Sequence, residues 1–277
     1  MVEKIDAHHH LWLYDQQNYG WIDQSMGVLR RDFLPAHLDK ELRSAGIDGA
    51  VAVQAQQTLS ETAWLLSLAD QFPFIRGVVG WAPIASEDFS THLDHLQSYA
   101  KLKGLRHIIQ SEPDDNFILN ASFNRGIARL KNTGLVYDIL IFERHLPVAI
   151  QFADRHPQQK LVLDHVAKPR IRERAMEPWR RNIAELAKCE NVYCKLSGMV
   201  TEADWSAWSP PDLWPYLEVV LEAFGPQRLM VGSDWPVCLL AVSYSGWYNL
   251  LNSFLEKLTV SEREKILGGT ASEVYRL

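Results

Sequence analysis

The chain has 277 residues, 47 % of them hydrophobic, and a formal net charge of -6. That length and apolar content suffice for a core of barrel size, and the acidic balance excludes the basic stripe that nucleic-acid binding requires. No apolar run approaches the ~20 residues of a membrane-spanning helix, and no block of like charge is long enough to act as an interaction tail.

The N-terminal stretch MVEKIDAHHHLW carries acidic residues and no apolar h-region, so no secretory signal is expected. Cys189, Cys194 and Cys238 fit no C-x-x-C spacing, and reduced thiols in a cytoplasmic protein are the expectation.

In chain order, the first element is a strand over residues 4–8 that runs into three consecutive histidines. Histidines near a terminus can be a tag remnant, but a tag lacks the apolar frame of Ile5, Ala7, Leu11 and Trp12. Alternation along a strand predicts that Asp6, His8 and His10 share one face and His9 takes the other. Further strands are predicted over 48–54, 75–81, 104–109, 135–141, 160–165, 191–196 and 229–233, which makes eight. Helical patterns lie between them. SETAWLLSLADQF opens with Ser60 as an expected N-cap, ASFNRGIARLKNTG closes on Gly134 as an expected C-cap, and LWPYLEVVLEAFG ends at Gly225.

Strands rich in Val, Ile and Leu without strict alternation read as parallel and buried on both faces. Eight of them alternating with helices match a (β/α)8 TIM barrel of the α/β class, with residues 1–277 as one domain. An open doubly wound sheet is the alternative, but no G-x-G-x-x-G follows the first strand.

A barrel carries its site at the C-terminal ends of its strands. Those ends hold His8 and His10; Gln54; Trp81; Arg106 and His107, then Gln110 and Glu112; Tyr137 and Asp138; Asp164 and His165, then Lys168; Lys195 and Ser197; and Ser233, Asp234 and Trp235. Each has a bland reading: Asp234 in GSDWP suits a turn, and Lys195 suits a lysine snorkelling at the core edge. Structural demand alone would not gather polar groups at one end of all eight strands, so the signal lies in the set. His8, His10, His165 and Asp234 supply three imidazoles and a carboxylate, an inventory that suits one divalent zinc-type cation with room for water. Without metal, Asp234 can serve as general base while a histidine or Arg106 stabilises an oxyanion. Both routes deliver water to an activated carbonyl. No G-x-S-x-G elbow points to a nucleophilic serine.

The H-x-H closing the first strand, together with the lone Asp after the eighth, resembles the amidohydrolase superfamily. The segments MGVLRRDFLP, GVVGWAPI, GLRHIIQSEPD, YDILIFERHLP, VLDHVAKP, CKLSGMVTEADW, FGPQRLMVGSDWPVCLL and GGTA narrow the resemblance to its sugar-lactonase branch, over nearly the whole chain. MGVL, YDILIFER and GGTA resemble the members that act on L-fuconolactone; others take rhamnonolactone or dicarboxylate lactones. The resemblance implies an amidohydrolase-type barrel that hydrolyses a sugar-acid lactone, with His8, His10, His165 and Asp234 as its polar core. It implies Arg106, His107, Gln54, Trp81 and Tyr137 as groups holding the substrate, with Trp12, Trp81 or Trp235 stacking on a sugar face. Strand four lacks a bridging lysine and strand five ends without histidine, so a two-metal centre is not expected; the branch works with one metal or none. The rival readings are a metal-dependent decarboxylase, which would carry a further histidine where Cys194, Lys195 and Leu196 stand, and a barrel that binds a sugar acid without turnover.

Overall fold

The computed structural model describes residues 2–277. Eight parallel strands pair in sequence order: β1 (Ile5–His9), β2 (Gly49–Val53), β3 (Ile75–Gly80), β4 (Leu102–Ile108), β5 (Val136–Leu140), β6 (Leu161–Leu163), β7 (Val192–Leu196) and β8 (Leu229–Val231). The ring closes between its ends by a parallel bridge from His9 to Trp235, with the Asp234 N–H donating to the His8 carbonyl at 2.8 Å. The helices α1 (Pro35–Ala45), α2 (Leu59–Gln71), α3 (Phe89–Leu96), α4 (Ala121–Leu130), α5 (Leu146–Arg155), α6 (Trp179–Leu186), α7 (Pro210–Phe224) and α8 (Tyr244–Leu255) follow the strands in turn. Two short helices, α9 (Val260–Glu264) and α10 (Thr270–Tyr275), end the chain. This is the (β/α)8 barrel expected from the strand count.

Both faces of the strands are apolar because one packs under the helices and the other fills the inside of the ring. Ala50, Ala52, Leu105, Ile139, Leu161 and Leu163 join the large cluster beneath the helices. Ile5, Ala7, Val51, Val53, Val79, Val136, Val162 and Met230 form a second cluster inside the ring, closed by Ala271, Val274 and Tyr275 of α10. Stacked branched side chains of this kind make a TIM barrel a packed core rather than a pore.

The helix ends correct two expectations. Thr58, not Ser60, caps α2, its side chain accepting from the Glu61 N–H. The last residue of α4 is Leu130, and Gly134 (φ 82°) lies in the turn before β5. Gly225 does cap α7. Among the described residues no helix is long and apolar enough to cross a membrane, and all three cysteines are free.

Candidate active site

The register of β1 against β2 slips between Asp6 and His9. An extra residue in one strand interrupts alternation and re-aims the side chains around it. Asp6 therefore does not share a face with His8 and His10. Its carboxylate instead accepts the Ser233 N–H at 2.8 Å, the Ser233 hydroxyl at 2.6 Å and the Tyr244 hydroxyl at 3.0 Å. Burial raises the Asp6 pKa to about 6 against those hydrogen bonds. His9 is buried with neither ring nitrogen hydrogen-bonded, and burial pushes its pKa down to about 3.

His8 and His10 do converge, Nε2 to Nε2 at 3.2 Å. Asp234 Oδ1 lies 3.3 Å from His10 Nε2, 3.8 Å from His8 Nε2 and 3.9 Å from His165 Nε2. The opposite ring nitrogen of each imidazole is occupied. His10 Nδ1 is 2.8 Å from the Val53 carbonyl, His165 Nδ1 is 2.9 Å from Ser197 Oγ, and His8 Nδ1 is 3.3 Å from both Lys195 Nζ and Asp164 Oδ1. The Val53 carbonyl accepts from His10 Nδ1–H and so turns the His10 Nε2 lone pair inward, as a metal-binding histidine requires. Zinc binds N and O ligands at roughly 2.0–2.1 Å, so tetrahedral ligand atoms stand about 3.3 Å apart. His8, His10 and Asp234 come close enough together to hold one such ion, with His165 Nε2 3.9 Å from the same Asp234 oxygen.

His165 reaches this point through an unusual backbone. Residues His165, Val166, Ala167 and Lys168 have φ of 53°, 48°, 61° and 48°, so β6 stops at Leu163 and gives way to a left-handed turn. Left-handed geometry costs L-residues about 1–2 kcal/mol each. Complete burial of Val166 and Ala167, and the Trp179 indole N–H donating to the Val166 carbonyl at 2.8 Å, hold the turn. Gly198 (φ 63°) lets the segment after β7 pass close to the imidazole: a Cβ there would stand 2.5 Å from His165 Nδ1. Asp234 is also left-handed, at φ 55°.

Electrostatics keep the site in its ligating form. Burial lowers the pKa of His8 well below its ordinary value and that of His165 to about 4, so both stay neutral. Burial opposes the charge of Asp234, yet the His165, His10 and His8 imidazoles hold its carboxyl well below the usual range. A cleft of ≈ 220 Å³ opens over the cluster, lined by His10, Arg106, His165 and Asp234 together with Trp21, Gln110, Ser111 and Lys168.

Arg106 is 2 % exposed and lines this cleft. Its Nη1 donates to Asp164 Oδ2 at 2.9 Å and lies 3.3 Å from His8 Nε2, while Nη2 donates to the Gln54 carbonyl. Several expected substrate contacts stand elsewhere. Tyr137 packs between Phe123 and Phe152, under the helices. His107 stacks on Phe117, bonds Glu112 at 2.6 Å and receives the Trp81 indole N–H at 3.3 Å. Gln54 is fully buried and braces Arg106 rather than facing the cleft. Trp12 is fully buried among Tyr19, Trp21 and Phe33, and Trp235 packs on Phe33. The reason is parity: on β4 and β5 the cleft side belongs to Arg106 and Asp138, which pair in register, so His107 and Tyr137 point outward. Lys195 is likewise no snorkelling lysine. It is wholly buried, with Nζ 2.5 Å from Asp138 Oδ2 and 3.0 Å from Asp164 Oδ1.

Sequence reasoning placed Asp138, Asp164 and Lys195 at strand ends but did not select them, nor Trp21, Gln110, Ser111 or Lys168. Alternation counted back from Val136, Val162 and Met230 inside the ring would have chosen Asp138 over Tyr137 and Lys195 over Cys194. Nothing local marks Trp21, which the long segment after β1 carries to the cleft.

Comparison with known proteins agrees with this geometry. The sequence profile of the amidohydrolase family matches residues 5–277. An L-fucono-1,5-lactonase of Burkholderia multivorans is 42 % identical over 99 % of this chain and 96 % of its own length. An L-fucono-1,5-lactonase of Burkholderia ambifaria is 35 % identical over 100 % and 97 %. A crystal structure of an amidohydrolase from Burkholderia multivorans with bound zinc superposes with a TM-score of 0.96, at 43 % identity and full coverage of both chains. The chain is thus an enzyme of the amidohydrolase family.

Proposed function

We propose that the enzyme opens a sugar-acid lactone of the L-fucono-1,5-lactone type by water attack on the lactone carbonyl, with one zinc-type ion at His8, His10, His165 and Asp234. The observation that carries the chemistry is the convergence of three imidazole nitrogens on one carboxylate oxygen at the floor of a cleft. The two lactonase relatives support the substrate class.

When bound, such an ion lowers the pKa of water to about 7 and polarises a carbonyl. The chain's own groups do the rest. Asp234 stays ionised because three imidazoles face it, so it is available to take the proton of the attacking water. It returns that proton to the ring oxygen as the tetrahedral intermediate collapses, which matters because an alkoxide leaves poorly. Arg106 borders the cleft beside His8 and offers its guanidinium to the carbonyl side of the ring. Gln110, Ser111 and Lys168 supply donors and acceptors for hydroxyl groups, and Trp21 supplies an aromatic face. The guanidinium is already committed to Asp164, which favours a neutral polyhydroxylated ring over a dicarboxylate lactone. Lys195, not an imidazole, fills the seventh-strand position, which disfavours the decarboxylase reading.

The test is a panel of aldonolactones assayed for acid release before and after chelation, with metal content measured on the same sample. Turnover greatest on L-fuconolactone, lost on chelation and restored by zinc, is the expected result. Turnover that survives complete metal removal would overturn the metal assignment, and none on any lactone would overturn the reaction.

A further inference from the structure

The turn after β2, residues 54–57, is bonded to the end of β4. Its Gln54 carbonyl accepts from Arg106 Nη2, and Gln54 Nε2 donates to the Arg106 carbonyl at 3.5 Å. Gln57 Oε1 accepts the Ile108 N–H at 2.8 Å. Ala55, in the same turn, lines the cleft beside Arg106 and Ile108. With Nη1 donating to Asp164 at 2.9 Å, the guanidinium is held from two sides, by a carboxylate and by this turn.

The turn is itself held by Glu61, in the first turn of α2. Thr58 and Glu61 stand at the T-x-x-E spacing of a capping box, in which the acid bonds back to the N–H of its own N-cap residue. Thr259 and Glu262 of α9 have the same spacing, and there the carboxylate does return to the Thr259 N–H, at 2.9 Å. Thr58 performs its half by accepting the Glu61 N–H at 3.1 Å. The Glu61 carboxylate goes elsewhere. It accepts the Ala55 N–H at 3.1 Å to Oε1 and 3.0 Å to Oε2, and the Gln56 N–H at 2.7 Å to Oε2. Glu61 is only 7 % exposed, and glutamate is rarely so buried unless paired. Burial opposes its charge, while the two backbone N–H groups and the nearby Arg106 guanidinium favour it. Capping α2 requires neither that burial nor those partners.

We propose that Glu61 is a positioning residue for the reaction: by gripping the Ala55 and Gln56 N–H groups it sets the Gln54 carbonyl, and through it the direction in which Arg106 meets the lactone. This rests on the lactonase reading above, with Arg106 on the carbonyl side of the ring.

The test is kcat and KM on the best lactone for Glu61→Gln, Arg106→Met and the double variant, alongside Tm by circular dichroism. Glu61→Gln keeps the volume but leaves one acceptor oxygen where two served. Misplacing a catalytic group from a distance can cost about 100-fold, and kcat/KM is expected to fall about 10–100-fold, chiefly in kcat. Arg106→Met, which removes the donor itself, should cost about 10²–10³-fold. Because Glu61 acts through Arg106, adding Glu61→Gln to Arg106→Met should cost no more than about twofold further. Thr58→Ala removes the helix cap without touching the Ala55 or Gln56 N–H, so it should lower Tm and leave kcat/KM within about twofold. The proposal fails if Glu61→Gln lowers Tm alone, or if its loss multiplies in full with that of Arg106→Met. It fails equally if Thr58→Ala loses as much kcat/KM as Glu61→Gln, a comparison that decides the matter even if Arg106→Met does not fold. A parent that turns over no lactone overturns the reaction and this inference together, whereas an active parent with an unimpaired Glu61→Gln overturns the inference alone.

Discussion

At the foot of the barrel Ile5, Ala7, Val51, Val79, Val136, Val162 and Met230 close on one another and on α10, all of them apolar and fully buried. At the mouth the same strands deliver His8, Arg106, Asp164, His165, Lys195 and Asp234, nearly as buried, with left-handed backbone at His165 and Asp234. Burial at the foot stabilises the fold through area removed from water. At the mouth, buried charge and backbone strain oppose folding and persist because the surrounding core outweighs them. Function and stability are divided along the barrel axis, and substitutions at the two ends should separate activity from stability.

The largest effect is expected at the mouth. Asp234→Asn keeps the shape and removes the proposed base, so kcat on the best lactone should fall at least about 10³-fold, or about 4 kcal/mol, with the far-ultraviolet circular dichroism unchanged. A variant retaining most of its turnover would remove Asp234 from the mechanism. The converse belongs to the foot: Met230→Ala opens a cavity inside the ring and should cost about 2–5 kcal/mol in urea unfolding, while kcat at 25 °C stays within about twofold. Gly198→Ala crosses the division, since its methyl would enter the His165 ring and its φ is positive. It should lower stability by about 1–3 kcal/mol and weaken zinc binding together, which parallel urea and chelator titrations would register. Trp21→Ala should raise KM by about tenfold and leave kcat nearly unchanged, as for a group that binds ground and transition states alike.

The smallest effect sharpens the comparison through pH. His9 and His165 have pKa values lowered from 6.5 to about 3 and about 4, and His8 is lowered too. Below pH 6.5 the unfolded chain takes up these protons and the folded chain does not, so stability falls as pH drops from about 6.5 to about 4. Asp6, raised from 3.8 to about 6, and Asp138, also raised by burial, act the other way, since the folded state keeps their protons longer. Glu61, raised by burial to about 7, acts with these carboxylates, so the parent should change little. In metal-free protein the urea midpoint of His9→Phe relative to the parent should rise from pH 7 to pH 4.5, and no relative rise would contradict a neutral buried His9.

The barrel was legible because its signal is repetitive: eight apolar runs separated by helical patterns survive errors of a residue or two at any boundary. The polar core was legible because His8, His10, His165 and Asp234 all lie at or just beyond strand ends. The substrate contacts were not, because choosing between Arg106 and His107, or Asp138 and Tyr137, depends on which of two adjacent residues faces inward. A one-residue slip reverses that answer. In β1 such a slip is built into the chain, and it turned Asp6 to Ser233 and Tyr244.

Local periodicity and residue chemistry, then, were enough to determine the fold class and which polar groups gather at one end of the barrel. Only the tertiary structure decided which side of each strand meets the cleft, that Lys195 is paired rather than exposed, and that Tyr275 lies against Asp138, 137 residues away in the chain. Strand sequence encodes burial on either face, whereas register, bulges and the docking of α10 arise from contacts between segments that no local pattern contains.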